Sequence, residues 1–436
     1  LGWALPAGLL AAVVGALGLD AGALIGWLAA PRALPAAAGA AVLAGMAGVV
    51  GGLIGRAALL RLAGPVRAAT VPVRSLAAVR AAAKARAVES AGRWLSGAML
   101  WPVWLRAAGM RIGRGSEIST IHDTVPELVT IGAGSFFADG VYLAGPAVDR
   151  GRLVLAATRF GRDTFLGNHA VLAAGHDWPD GLFVGVATAP DARAVGPGSA
   201  WFGLPAMPLP RREVVAADRR LTHAPDALRW STRAGWETLR LALPAGPIAA
   251  GALWLWAMAA AARGGPMVAL AAAPLATLAA GGALVGAASG LKWALLGRVQ
   301  PGRHAFWSGW CGRWDFVYMA WGAWARPVLA WLEGTLALNA CLRAFGLQLG
   351  RRVVLGPGFA QVVDPDMLSF GDDAVVLGHF QAHSFEDRIL KIDRVTVGRS
   401  ATVGADAVVL YDAHIGDGAT VGPHGVVMKG ERLRGG

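Results

Sequence analysis

The densest polar stretch in this chain is His379-Phe380-Gln381-Ala382-His383-Ser384-Phe385-Glu386-Asp387-Arg388, with Lys391 just beyond it. It sets imidazoles, carboxylates and cations side by side in a chain that is 55% hydrophobic. An imidazole titrates near neutral pH and can take a proton from an attacking group. A neighbouring carboxylate can hold that imidazole in one tautomer, or bind a cationic amine. His383 is the first candidate for a base, with Glu386 and Asp387 as the carboxylates. His379, Gln381 and Arg388 are candidate substrate contacts from the same stretch. Tyr411 and Asp412 lie further on and can face the same cleft. Lys429 suits a phosphate, or is a solvated turn lysine. Arg388 and Lys391 can equally pair with the carboxylates, and exposed pairs add little stability. The alternative for His383 is a surface imidazole on an insertion.

A second set of imidazoles occurs earlier, as His122-Asp123, Asn168-His169 and His176-Asp177. His169 is a further candidate substrate contact. No ligand spacing repeats among these residues, so no metal site is expected. Cys311 and Cys341 form neither a disulfide framework nor a metal spacing.

The elements that must position these groups occur twice, about 238 residues apart. Ala4-Leu5-Pro6-Ala7-Gly8 returns as Ala242-Leu243-Pro244-Ala245-Gly246, and Gly48 and Gly52 return as Gly286 and Gly290. Leu105-Arg106-Ala107 returns as Leu342-Arg343-Ala344, and Gly161-Arg162 as Gly398-Arg399. Each copy runs from an apolar hairpin through a basic, Trp-rich connector to a Gly-punctuated apolar repeat. In the last of these, Val397, Val403, Val409, Ile415, Val421 and Val427 are evenly spaced six apart, and Gly398, Gly404, Gly416 and Gly422 follow four of them. A period of six fits neither a helix nor a simple strand alternation. It is the pattern of a parallel β-helix, whose short faces bury one aliphatic residue each and whose coils stack on their neighbours. Glycine is read here as freeing the turn backbone. Insertions near 119–128, 172–181 and 357–367 interrupt the pattern and predict loops on one face. Between the copies the polar residues differ: Pro146 stands at the position of His383, and Asp149 at that of Glu386. The second copy is therefore expected to be the reactive one.

Four apolar runs, roughly 3–28, 35–60, 241–262 and 266–292, are long enough to cross a bilayer. The first lacks the basic start and cleavage site of a signal peptide, and a second span follows at once. The hairpin links carry single cations, Arg32 and Arg263, whereas the far ends are rich in arginine. Positive residues mark the cytoplasmic side, so both β-rich domains are expected there, at a bacterial inner membrane. The net charge of +12 is read as contact with anionic lipid. No groove-reading motif accompanies it, and nucleic acid is not an expected partner. Gly48 and Gly52, and Gly282, Gly286 and Gly290, give one flat face to each second hairpin helix, for hairpin pairing or a homo-oligomer contact. Asp20 is read as a helix-end charge and Lys292 as a snorkelling one. Trp307, Trp310, Trp314, Trp321, Trp324 and Trp331, with Trp94, Trp101 and Trp104 in the first copy, suggest connector helices lying at the lipid headgroups.

These features predict membrane α-helices plus all-β domains, as two tandem units of transmembrane hairpin and parallel β-helix. The boundaries are hairpin 1 at 1–63, a basic connector at 64–110 and β domain 1 at 111–212. A basic linker at 213–240, hairpin 2 at 241–297, a Trp-rich interfacial connector at 298–347 and β domain 2 at 348–436 complete the chain. The start at Leu1 and the stop at Gly435-Gly436 suggest a fragment of a longer protein.

The hexad pattern resembles the left-handed β-helix of hexapeptide-repeat acyltransferases, in which clefts beside the coils bind coenzyme A or carrier-bound acyl groups. Gly203-Leu204-Pro205-Ala206 resembles the exit from the last coil in that family. The order of elements, together with Leu291-Lys292-Trp293, Leu295-Leu296-Gly297-Arg298, Phe385-Glu386-Asp387-Arg388, Val409-Leu410-Tyr411-Asp412 and Val427-Met428-Lys429-Gly430-Glu431, resembles one group more closely. That group is the membrane-bound C-terminal region of poly-amino-acid synthetases, the ε-poly-lysine type of nonribosomal peptide synthetase. The resemblance implies upstream adenylation and carrier domains as partners, and this chain as the last two of three units. It implies no tightly bound cofactor, but a substrate carried on phosphopantetheine, either a carrier thioester or coenzyme A. The implied reaction is aminolysis of an aminoacyl thioester, with His383 as base and Lys429 at a phosphate of the carrier arm. A non-catalytic scaffold and a coenzyme A-dependent acetyltransferase are the alternatives.

Overall fold

The computed structural model describes residues 34–210, 217–362, 364–386 and 388–436. The expected first span, Asp20 and Asp387 lie outside the described residues. Two compact units emerge: Val50–Ala224, and Pro225–Gly436 together with the segment ending at Val49.

In Val50–Ala224 the chain visits three parallel sheets in rotation. Glu117–Ile118, Phe136–Phe137, Phe165–Leu166 and Phe183–Val184 stack in one of them. A separate antiparallel sheet joins Ala69–Pro72 to Arg152–Leu155 and Ala147–Asp149.

The unit that ends at Gly436 repeats the plan. Val397 pairs with Ile415, Val403 with Val421 and Val409 with Val427. Every third member of the six-residue series thus stacks on the one before. All six are buried, and burying such a side chain stabilises by about 1.5–3 kcal/mol. A second antiparallel sheet joins Gly302–Ala305 to Ile389–Ile392 and His383–Glu386.

The glycines of this series have a different role from the one expected. A Cβ on Gly398 would lie 2.5 Å from the Asp417 nitrogen, and one on Gly404 would lie 2.6 Å from the Pro423 nitrogen. Backbone of the next coil fills the space a side chain would need. Left-handed backbone falls two residues later, at Ser400 (φ 54°), Asp406 (φ 57°) and His424 (φ 57°). Asp and Ser tolerate that region better than β-branched residues do.

Among the described residues, three helical stretches are long and apolar enough to cross a membrane: Leu43–Leu62, one within Arg219–Ala262, and Pro266–Leu295. The apolar part of the second is the helix Ala245–Ala262, followed by Arg263-Gly264-Gly265 and then Pro266–Leu295. Within Pro266–Leu295, none of the most apolar window is buried in the protein. Such a surface suits a lipid solvent. Nothing described comes within 4 Å of a Cβ placed on Gly48, Gly282, Gly286 or Gly290.

The tryptophans correct an expectation. Trp307 and Trp321 are buried, and Trp321 stacks on Phe345 with centroids 3.9 Å apart while its Nε1–H donates to the Ala360 carbonyl at 2.9 Å. Trp101 and Trp104 are buried in the first copy. Closing the base of a narrow β domain needs large flat side chains, and these rings supply them. Only Trp331 among those residues is as much as 89% exposed.

The helix Gly309–Trp324 begins with Ser308 accepting from the Cys311 nitrogen, an N-cap worth about 1 kcal/mol. Burial pushes the Cys311 thiol up to about 12. A raised pKa leaves almost no thiolate at pH 8, and the thiolate is the nucleophile. Iodoacetamide at pH 8 should therefore leave Cys311 unmodified in the folded chain and alkylate it after denaturation. Peptide mass spectrometry reads both states.

Candidate functional site

His383 and Glu386 lie on one short strand, His383–Glu386, yet they serve separate groups. Side chains alternate across a strand, so His383 and Phe385 share one face, and Ser384 and Glu386 the other.

On the first face, His383 Nδ1 lies 2.7 Å from Asp364 Oδ2. The Asp364 side chain is 1% exposed and that of His383 13%. Trp314 Nε1–H donates to Asp364 Oδ1 at 2.7 Å. The Trp314 ring meets His383 edge-on at 5.0 Å and Phe385 at 6.1 Å. The carboxylate is thus clamped on both oxygens, by an indole from the connector helix and by the imidazole. Asp364 has left-handed backbone (φ 54°) and leads into the 3-10 turn Pro365–Met367, where the Met367 nitrogen donates back to its carbonyl at 2.9 Å. A buried aspartate held on both oxygens and aimed at a histidine makes this pair the candidate centre. An indole can only donate. If Nδ1–H donates to the other carboxylate oxygen, Nε2 keeps its lone pair and can accept a proton.

His304 is a second imidazole in this region. It stacks on Trp310 at 3.7 Å, and burial lowers its pKa while the Asp364 charge acts in the opposite sense.

On the second face, Lys391 Nζ meets Glu386 Oε2 at 2.8 Å and the Tyr411 hydroxyl donates to Glu386 Oε1 at 3.2 Å. Lys429 Nζ stands 3.7 Å from the same carboxylate. Strand pairing accounts for this, because Lys391 lies directly opposite Ser384, on the face that Glu386 shares. Glu386 therefore does not orient His383, and two ammonium groups already meet its charge. Sequence spacing offered Glu386 or Asp387 as the orienting carboxylate; among the described residues Asp364 holds that place.

The other candidates disperse. His379 is mostly exposed, with Nε2 3.5 Å from Asp406 Oδ1. Gln381 ends the same strand, paired with Leu410. Arg388 is 3% exposed with φ 61°, and its carbonyl accepts from the Phe306 nitrogen, so it closes the hairpin turn rather than lining an open cleft. Asp412 is bound to Arg432 at 2.8 Å. His169, in the first copy, occupies a left-handed turn (φ 57°) over Gly140, and its nitrogen donates to the Asp139 carbonyl. His122 lies 3.7 Å from Glu89. Among the described residues no cluster could hold a metal ion.

Register fixes the correspondence between copies. Gly302 pairs with Ile392 as Ala69 pairs with Leu155, and Ser384 pairs with Lys391 as Ala147 pairs with Val154. Pro146 therefore answers to His383, Asp149 to Glu386 and Val154 to Lys391. The connector helices start from equivalent serine caps, Ser308 and Ser75, which sets Ala81 against Trp314. The turns Pro365–Met367 and Pro126–Leu128 set Val125 against Asp364. Ala81 and Val125 are buried in one apolar cluster with Leu128 and Leu155. The first copy has the same frame with every member of the His383 group replaced by an apolar residue.

The clamped His–Asp pair is thus confined to one of the two copies. The chain is similar to Delta-poly-L-ornithine synthetase. It is 35% identical over 341 residues to that protein from Acinetobacter baumannii (strain AB307-0294), which takes in 76% of this chain and 25% of the relative. The chain therefore spans about a quarter of that relative's length. The relative is a poly-amino-acid synthetase, the class its motifs resemble. No family model matches the chain, and no solved structure does.

Proposed function

We propose that this chain is a membrane-held aminoacyl-transfer module of a poly-amino-acid synthetase, with its reactive centre at His383 and Asp364 in the second copy. Its β domains are read as left-handed hexapeptide β-helices on the cytoplasmic side of a bacterial inner membrane. The donor is an aminoacyl thioester on phosphopantetheine, delivered by adenylation and carrier domains elsewhere in the synthetase.

The acceptor is an ammonium at neutral pH and attacks only after one proton has passed to solvent, as the neutral amine. The amine nitrogen forms a bond to the thioester carbonyl carbon, and His383 Nε2 takes one N–H proton. Nδ1–H stays on Asp364, which stabilises the imidazolium that forms. The C–S bond then breaks, and the proton returns to the sulfur to leave a thiol. Glu386, held by Lys391 and Tyr411, is a positioning group for Lys429, whose Nζ lies 3.7 Å away and which is assigned to a phosphate of the carrier arm.

The observation that supports this best is the buried 2.7 Å contact between His383 and Asp364. Its replacement by Pro146 and Val125 in the first copy favours a scaffold role there, with one copy reacting and one copy building.

The test is donor choice in the full synthetase. Carrier-bound aminoacyl thioester and acetyl-coenzyme A are supplied separately to the wild type and to His383→Ala. Amide formation from the carrier thioester alone, lost in the variant, is expected. Acetyl transfer would move the reading to an acetyltransferase, and undiminished polymer in the variant would make both copies scaffolds.

A further inference from the structure

Lys292 lies in the last turn of the membrane helix Pro266–Leu295, and its side chain is 2% exposed. It does not snorkel outward, as its sequence position suggested. Its Nζ lies 2.7 Å from Asp366 Oδ2, and the Asp366 side chain is 1% exposed. The two charges meet at ion-pair distance, and Asp366 Oδ1 has no hydrogen-bond partner among the described residues. Asp366 Oδ2 also accepts from the Val299 nitrogen at 3.0 Å, just after the helix ends. The Trp293 ring lies 3.5 Å from Nζ. Gly346 leaves room for the pair, because a Cβ there would fall 3.3 Å from Nζ.

Asp366 belongs to the turn Pro365–Met367, and Asp364 sits at that turn's start. A short chain of contacts therefore runs from the end of a membrane span to the candidate base: Lys292, Asp366, the turn, Asp364, His383. The turn is braced at each end by a buried charge. In the first copy Glu127 holds the place of Asp366, but its cation is Lys84 of the connector helix Leu76–Leu95, and among the described residues no membrane helix pairs with it. The linkage to a span is specific to the copy that carries the His–Asp pair.

We propose that Lys292 is a positioning residue, through which the membrane helix sets the Asp364–His383 geometry by way of Asp366. The inference rests on the reading of His383 given above. Two buried charges brace such a turn only as a pair. Removing one leaves the other uncompensated and drives its segment to move toward water. Replacing both by neutral partners removes that drive. Asn at 366 still accepts from the Val299 nitrogen.

The experiment uses the full synthetase in detergent or nanodiscs, assayed for amide formation from a carrier-bound thioester and an amine. Lys292→Met should lower kcat at least tenfold with KM for the amine within about twofold. The variant Lys292→Met with Asp366→Asn should regain most of kcat. His383→Ala is run beside them. A folded Lys292→Met with unchanged kcat overturns the linkage, and so does a double variant as impaired as the single one. If Lys292→Met does not fold, the double variant alone decides: near wild-type kcat supports the linkage, and a low kcat overturns it. Full activity in His383→Ala removes the functional reading itself, a result distinct from either.

Discussion

Asp364→Asn is expected to slow amide formation by about 10²–10⁴-fold with the protein still folded. Trp314 Nε1–H can only donate, so it fixes the side-chain oxygen of Asn on its own side. The amide NH₂ then faces His383 Nδ1, which must accept instead of donate. The proton moves to Nε2, the nitrogen meant to receive one from the amine. The substitution is nearly isosteric, so it tests the tautomer and not the packing. Initial rates with a saturating carrier-bound donor check it, with size-exclusion profiles confirming the fold. Because the pair acts as a unit, Asp364→Asn combined with His383→Ala should be no slower than His383→Ala alone. A rate within threefold of wild type would remove Asp364 from the mechanism.

Trp321→Ala should be the most destabilising single change in the connector, by about 3–5 kcal/mol. The indole is buried, stacked on Phe345, and its Nε1–H satisfies the Ala360 carbonyl. Removing it leaves a cavity between the connector helix and the β domain, and an orphaned acceptor. Trp331→Ala removes the same side chain from an exposed position and should change stability little. Heating detergent-solubilised variants and measuring the fraction that stays monodisperse separates the two. Equal losses would place Trp321 outside the core.

Much of this architecture is legible from spacing alone. The six-residue series fixes which valines are buried, and the register bears that out, because periodic burial is a local property of the chain. The apolar stretches announce membrane helices for the same reason. The site is less legible. Asp364 and His383 are joined by the return of the chain through three further strands, Leu368–Phe370, Val375–Val376 and His379–Gln381, which no local pattern encodes. Glu386 looked the better partner in sequence, but the alternation of one strand turns it away. A signal for Asp364 was nonetheless present: aligning the copies sets it against Val125, a charge against an aliphatic residue at a core position. Trp314 was hidden by its company, since the connector is rich in tryptophans that serve packing.

The close approach of coil backbones at Gly398 and Gly404 has a consequence for how such a chain can change length. Each coil fits its neighbour only through the step from Val397 to Ile415, or Val403 to Val421. An added or lost residue must therefore be absorbed at a turn, as it is between Ile112 and its partner Ile131 and between Val184 and its partner Trp201, so that the stacked residues keep their places. Growth is thus confined to excursions between the strands, and the hairpin His383–Ile392 is one that leaves the stack and re-enters it. Chemistry can be acquired, altered or erased on such an excursion while the column beneath keeps its pitch.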